Sequence, residues 1–137
     1  MASGKLQAKR ISYTLAVLVF QDLNARSASS DGSTTDAELQ QMLTLTPNVF
    51  RKDFQNIGEK SQMYAASIAI NCLSKLCNEE LAQILYLEVL PLFNCSKEFL
   101  RRKTCILSYK LVLHCNDAVE KLVPYLADRL EDKEAGV

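Results

Sequence analysis

Two sets of side chains in this 137-residue chain are of types that do chemistry: the thiol–imidazole set Cys105, His114 and Cys115, and the basic runs Lys9-Arg10 and Arg101-Arg102-Lys103. A cysteine nucleophile needs a base within hydrogen-bond reach. Successive helical residues point about 100° apart, so a helix through this region turns His114 away from Cys115. His114 is the only histidine, which excludes a multi-His metal site. A histidine near a helix C-terminus is favoured there by the helix dipole alone. Glycine-rich phosphate loops and EF-hand ligand runs are absent. The expectation is a non-enzymatic chain with no cofactor and no metal site.

The basic runs ask for a different explanation. Cations in the first turn of a helix oppose the macrodipole, so helix stability does not account for Arg101-Arg102-Lys103. One reading gives Lys9, Arg10, Arg101, Arg102 and Lys103 to a negatively charged partner. The other pairs them with Glu98 or with aspartates of neighbouring segments, each surface pair contributing under ~1 kcal/mol. Residue types alone leave both open.

The elements that must position these residues are all helical. Apolar residues make up 48% and charged residues 23%, a globular balance, and four Gly with three Pro leave little room for a turn-rich β fold. Sixteen basic and sixteen acidic residues cancel, which argues against a general nucleic-acid binder. No apolar run reaches the roughly 18 residues of a membrane span. Five cysteines without a Cys-x-x-Cys pair, several on apolar stripes, read as buried free thiols in a reducing compartment.

In order along the chain, 5–24 predicts a helix with Leu15, Leu18, Val19 and Leu23 on one stripe, broadened by Ile11, Val17 and Phe20. Residues 25–35, ARSASSDGSTT, predict a loop. Thr35 to Glu38 fits a capping box opening a helix at Asp36, which Pro47 kinks or divides. Gly58 fits a left-handed C-cap. A clean stripe follows at Ala65, Ile68, Ala69, Cys72, Leu73 and Leu76; then Asn78 caps a helix with Leu81, Ile84, Leu85, Leu87, Leu90 and Phe93. Ser96 and Asn116 fit as caps of the last two helices, striped by Phe99, Leu100, Ile106, Leu107, Leu111, Cys115 and by Val119, Leu122, Val123, Leu126, Leu130.

Shifting the chain by 38 lays Ile68 on Ile106, Leu73 on Leu111, Cys77 on Cys115, Asn78 on Asn116 and Ile84 on Leu122. Two helices per unit at a period near 35–40 point to HEAT or armadillo-like repeats, and the Trp-Leu-Gly-Tyr pattern of TPR units is missing. A single pair of this kind cannot bury both apolar faces and needs neighbours stacked on it. The expected fold is therefore all-α: an α-α superhelix of about six helices, one domain over 1–137, and a piece of a longer solenoid.

With the repeats placed, the residues resemble the N-terminal trunk of adaptins, the large subunits of clathrin-associated adaptor complexes. Lys9-Arg10-Ile11-Ser12-Tyr13 is similar to the family's Lys-Arg-Ile-Gly-Tyr opening of an early trunk helix. Met42-Leu43-Thr44-Leu45-Thr46-Pro47-Asn48 with Arg51-Lys52-Asp53 is similar to its Met-Leu-Thr-Thr-Asn…Arg-Lys-Asp segment. Phe99-Leu100-Arg101-Arg102-Lys103 and Leu130-Glu131-Asp132…Gly136-Val137 resemble the Arg-Lys-Lys-Ala helix start and the Leu-Glu-Asp-Pro-Asp-Pro-Gly-Val exit, the latter most like the delta-type subunit of adaptor protein complex 3. Departures are the Ser-rich insertion, Ser12 for Gly, Pro47, and Lys133-Glu134-Ala135 for Pro-Asp-Pro.

The resemblance implies a structural role in vesicle-mediated protein transport from Golgi or endosomes towards lysosome-type organelles. It implies assembly with beta-type large, medium and small chains, and recruitment by a small GTPase of the ADP-ribosylation-factor class. It also implies a cytoplasmic chain held at the membrane peripherally through the complex, with the five basic residues as partner or phosphoinositide contacts. The alternative is a HEAT scaffold of another class, a nuclear transport receptor or a kinase or phosphatase scaffold.

Overall fold

Apolar residues recurring at helical spacing leave each segment with one oily side, and covering those sides dictates the architecture. The structure, a computed structural model, describes residues 2–27 and 33–134. It contains α1 (Ala2–Ser27), α2 (Ser33–Gln55), α3 (Lys60–Leu76), α4 (Glu79–Leu85), a 3-10 turn (Tyr86–Val89), α5 (Leu90–Phe93), α6 (Glu98–His114) and α7 (Asn116–Leu130). No strand occurs among the described residues. The segment α4–turn–α5 runs without a break, so six helical stretches form three consecutive pairs. α1 packs on α3 and α3 on α6; α2 packs on the α4–α5 segment, which packs on α7. The result is a two-layer stack, the expected all-α superhelix.

The core lies between the layers. Phe50, Phe54, Leu73, Leu81, Leu85, Leu92, Phe93, Leu100, Leu107, Leu111 and Leu122 are fully buried there. Aromatic pairs join neighbours: Tyr13 stacks on Phe50 at 5.6 Å, Tyr64 on Phe99 at 5.6 Å, and Phe93 meets Tyr125 at 5.6 Å. Each such pair adds about 0.5–1.5 kcal/mol beyond the area it covers.

Several local expectations change. In α1 the buried side is Tyr13, Val17, Phe20 and Leu23, while Ile11, Leu15, Leu18 and Val19 are exposed. A helix apolar nearly all round does not choose its own inner face; Phe50 and α3 choose it. In α6, Ile106 is 62% exposed and the inner stripe instead includes Thr104 and Ser108. Their hydroxyls donate to the Leu100 and Thr104 carbonyls at 2.7 Å each, which satisfies them in an apolar setting.

Of the expected loop at 25–35, Ala25 to Ser27 belong to α1 and Ser33 to Thr35 to α2; the rest lies outside the described residues. Small polar residues disfavour a helix only weakly, so flanking helices extend into them. Because α2 starts at Ser33, Thr35 sits inside it rather than at its cap, and the side chains of the expected capping box lie outside the described residues. Pro47 neither ends nor splits α2, which is continuous to Gln55. Gly58 does not adopt the left-handed conformation; the chain instead extends to Glu59, whose N–H donates to the Gln62 side chain at 3.1 Å and starts α3.

Asn78 caps α4, its side chain accepting from the Leu81 N–H at 2.9 Å. Lys97, not Ser96, holds the N-cap of α6, and Cys115, not Asn116, that of α7. The repeat is therefore uneven. α3 to α6 keeps the period of 38 (Lys60 to Glu98), but α4 and α7 start 37 apart (Glu79 and Asn116). Buried Leu81 and Leu85 thus correspond to buried Ala118 and Leu122, and Ile84, which the 38 register pairs with Leu122, is 42% exposed.

Leu111 and Ile106 separate burial from hydrophobicity. Leu111→Ala should lower stability by about 2–5 kcal/mol, as buried Leu truncations do. Ile106→Ala should change it by less than about 0.5 kcal/mol. Urea denaturation followed by circular dichroism checks both.

Candidate interaction surface

The basic triplet at the start of α6 divides three ways. Arg101 turns inward: its Nε and Nη2 donate to Asp132 at 2.7 and 2.9 Å, and its Nη1 donates to the Cys95 carbonyl at 3.0 Å. Arg129, in the last turn of α7, reaches the same carboxylate at 3.1 Å. This clamp ties the beginning of α6 to the chain beyond α7. The hydrogen bonds from Arg101 hold Asp132 down at about 2, and the carboxylate in turn raises the Arg101 pKa. Lys103 donates to the Ser67 hydroxyl of α3 at 2.7 Å, and burial lowers its pKa. Arg102 stays on the exposed side and pairs with Glu98, one helical turn earlier.

The other basic run lies on α1. Lys9 pairs with Asp53 of α2, a buried carboxylate that also accepts from the Tyr13 hydroxyl at 2.8 Å. Burial first, and then the Asp53 hydrogen bond, push the Tyr13 phenol far above its ordinary value. Arg10 is exposed beside the groove that Thr14, Gln21, Asn71 and Lys75 line between α1 and α3. α1 and α6 are not neighbours, because α3 separates them. The two basic runs are therefore distinct sites of one layer, not one patch. Arg10 and Arg102 are the two of the five that face solvent.

The thiols show a different picture from a nucleophile centre. Cys115 is buried at the α6–α7 junction and His114 beside it is exposed. Burial raises Cys105, lifts Cys77 to about 11 and Cys72 to about 12. A thiol held that high remains protonated near neutrality, and the thiolate is the reactive form. All five cysteines are free.

The two layers differ in charge. α1, α3 and α6 hold ten Lys and Arg against two acids, Asp22 and Glu98. α2, the α4–α5 segment and α7 hold nine acids against four Lys and Arg. A chain with formal net charge zero thus presents one basic layer and one acidic layer. Reading net charge along the chain missed this. The signal was charge summed over alternate helices, which has meaning only once alternate helices are known to stack.

Stacked helical pairs in two layers of opposite charge define an α-solenoid. The family profile described as the adaptin N terminal region matches residues 1–137, and the chain belongs to that family. Over 137 residues, all of this chain, it is 31% identical to the AP-3 complex subunit delta of Schizosaccharomyces pombe and 28% identical to that of Dictyostelium discoideum. It is 26% identical over the same length to the AP-1 complex subunit gamma-1 of Mycosarcoma maydis. These alignments cover 14%, 10% and 13% of the respective relatives, so the chain spans a small part of their length. No solved structure gives a significant match. No helix among the described residues is long and apolar enough to cross a membrane.

The Arg101–Asp132 clamp has a pH signature. Asp132 is held below the unfolded carboxylate value of about 3.9, so its stabilisation is fully present above that value. It is lost as pH falls through about 2. Urea midpoints measured from pH 5 to pH 2 should drop in the native chain. Asp132→Asn should start lower at pH 5 and show a smaller drop across the same window.

Proposed function

We propose that this chain is a segment of the trunk of an adaptor-complex large subunit of the delta type, acting as a non-catalytic frame in vesicle-mediated protein sorting between Golgi or endosomes and lysosome-type organelles. What carries the reading is the whole-length family match together with a stack whose exposed end faces still show apolar side chains. Leu130 is 89% exposed and Val123 49%, on a helix whose other side is buried. Such faces suit further repeats or other subunits.

In this reading the partners are the beta-type large, the medium and the small chains of the complex, and a small GTPase of the ADP-ribosylation-factor class recruits it to membrane peripherally. Lys9, Arg10, Arg101, Arg102 and Lys103 remain the proposed partner or phosphoinositide contacts. Arg10 and Arg102 would make direct contact, while Lys9, Arg101 and Lys103 would set the positions of α1 and α6 through Asp53, Asp132 and Ser67. The inferred location is cytoplasmic, on Golgi and endosomal membranes.

Tagged chain expressed within its parent subunit should recover medium and small adaptor chains from cell extract. Recovery instead of a Ran-type GTPase or of kinase or phosphatase subunits would replace the adaptor reading with another HEAT scaffold. Arg10→Glu with Arg102→Glu should reduce GTPase-dependent membrane recruitment while leaving subunit recovery unchanged.

A further inference from the structure

The outward side of α3 and α6 combines two features that a merely solvated surface does not need. On α6, Ile106, Tyr109 and Leu113 are exposed to 62%, 62% and 58% and stand at i, i+3 and i+7, opposite the buried Leu100, Leu107 and Leu111. They form one apolar stripe roughly 10 Å long, two helical turns. On the adjoining helix α3, which has no acidic residue, Lys75 is exposed, and Lys110 is exposed at the α6 side of the seam. Neither lysine makes an ion pair with a described residue. The Tyr64–Phe99 stack and the Lys103–Ser67 hydrogen bond lock the two helices together, so stripe and cations keep a fixed relation.

We propose that this face docks an acidic amphipathic helix from a partner protein. Its apolar row would lie along Ile106, Tyr109 and Leu113, and its carboxylates would meet Lys75 and Lys110. The charge argument rests on the exposed lysines: Lys9 and Arg101 are engaged with Asp53 and Asp132, whereas Lys75 and Lys110 form no ion pair with a described residue and select a negative occupant. The apolar argument selects a helix among negative occupants. A single stripe two turns long, with Lys110 next to Tyr109 in sequence and Lys75 farther out on α3 where it lines the α1–α3 groove, matches the anchor row of a helix laid along α6. Ile11, Leu15 and Leu18 of α1 in the same layer are exposed as well, so vesicles enter the test as a competing surface. The inference concerns this face alone and goes beyond the adaptor reading.

The test uses a fluorescein-labelled synthetic 20-residue helix with Leu at i, i+3 and i+7 and Glu on its flanks, measured by anisotropy against the chain. The ordered peptide should bind saturably and weaken with salt. Lys75→Glu with Lys110→Glu should cost roughly tenfold in Kd, since two rim charges are reversed. Tyr109→Ala with Leu113→Ala should weaken binding similarly, and Lys121→Glu in the other layer should not. Lys75→Gln with Lys110→Gln is the substitute if reversal lowers the melting temperature. Four results would overturn the proposal: no binding, equal binding of a scrambled peptide, binding unaffected by the α3 and α6 variants, or preference for vesicles containing phosphatidylserine over the peptide. Salt-sensitive self-association without peptide binding would assign the face to a second copy and also overturn it.

Discussion

Every helix here has one side that water does not tolerate, and the fold follows from covering those sides two at a time. α3 shows the constraint most directly. It is in contact with α1 on one side, α6 on the other and α2 beneath, and its Ala66, Ala69, Ile70 and Leu73 are essentially inaccessible. The small side chains on that helix let its neighbours approach closely, and the large Phe50 and Phe54 from α2 are fully buried in the same core. Remove that mutual covering and no pair in the chain has enough apolar area to stay folded alone.

Packing of this kind is non-directional, so polar contacts set the register. Tyr13 and Lys9 converge on Asp53 to join α1 to α2, and Arg51 reaches Glu88 at 3.1 Å to join α2 to the 3-10 turn of the next unit. Lys103 and Ser67 join α3 to α6, and the paired hydrogen bonds of Arg101 to Asp132 fasten α6 to the exit of α7. A bidentate arginine–carboxylate pair fixes orientation as well as distance. The basic residues that look most available for a ligand are, in three cases of five, also the ones that fasten neighbouring helices together. Interaction and construction are thus placed on the same helices, and the solvent-facing Arg10 and Arg102 can report a partner without loosening the stack.

The repeat shows how a fold tolerates drift in sequence. The first helices of the second and third units keep the 38-residue offset, and the second helices are displaced by one. Asn78 caps α4 with its side chain, whereas Asn116 has become the first residue of α7 and Cys115 has taken the cap position without a side-chain bond. The one-residue slip rotates the second helix by about 100° relative to the sequence register. Its buried positions are restored because Leu81 and Leu85 correspond to Ala118 and Leu122. The family membership survives such shifts because the stack asks for a stripe, not for particular residues.

The chain by itself determined that it would be helical, that two of its units repeat, that Asn78 would cap a helix and that α3 would bury Ala65, Ala69, Cys72, Leu73 and Leu76. Those outcomes rest on local chemistry and on a single clear period of 3.6, which neighbours do not alter. Tertiary structure alone decided which side of α1 faces inward, that Thr104 and Ser108 lie in the core while Ile106 lies outside, and that Arg101 points to Asp132, 31 residues away. It also sorted cations and acids into opposite layers. The physical reason is the same in each case: a helix with apolar or charged residues on several sides has no preferred face until another helix takes one, and only the stacking of alternate segments gives their charges a common surface.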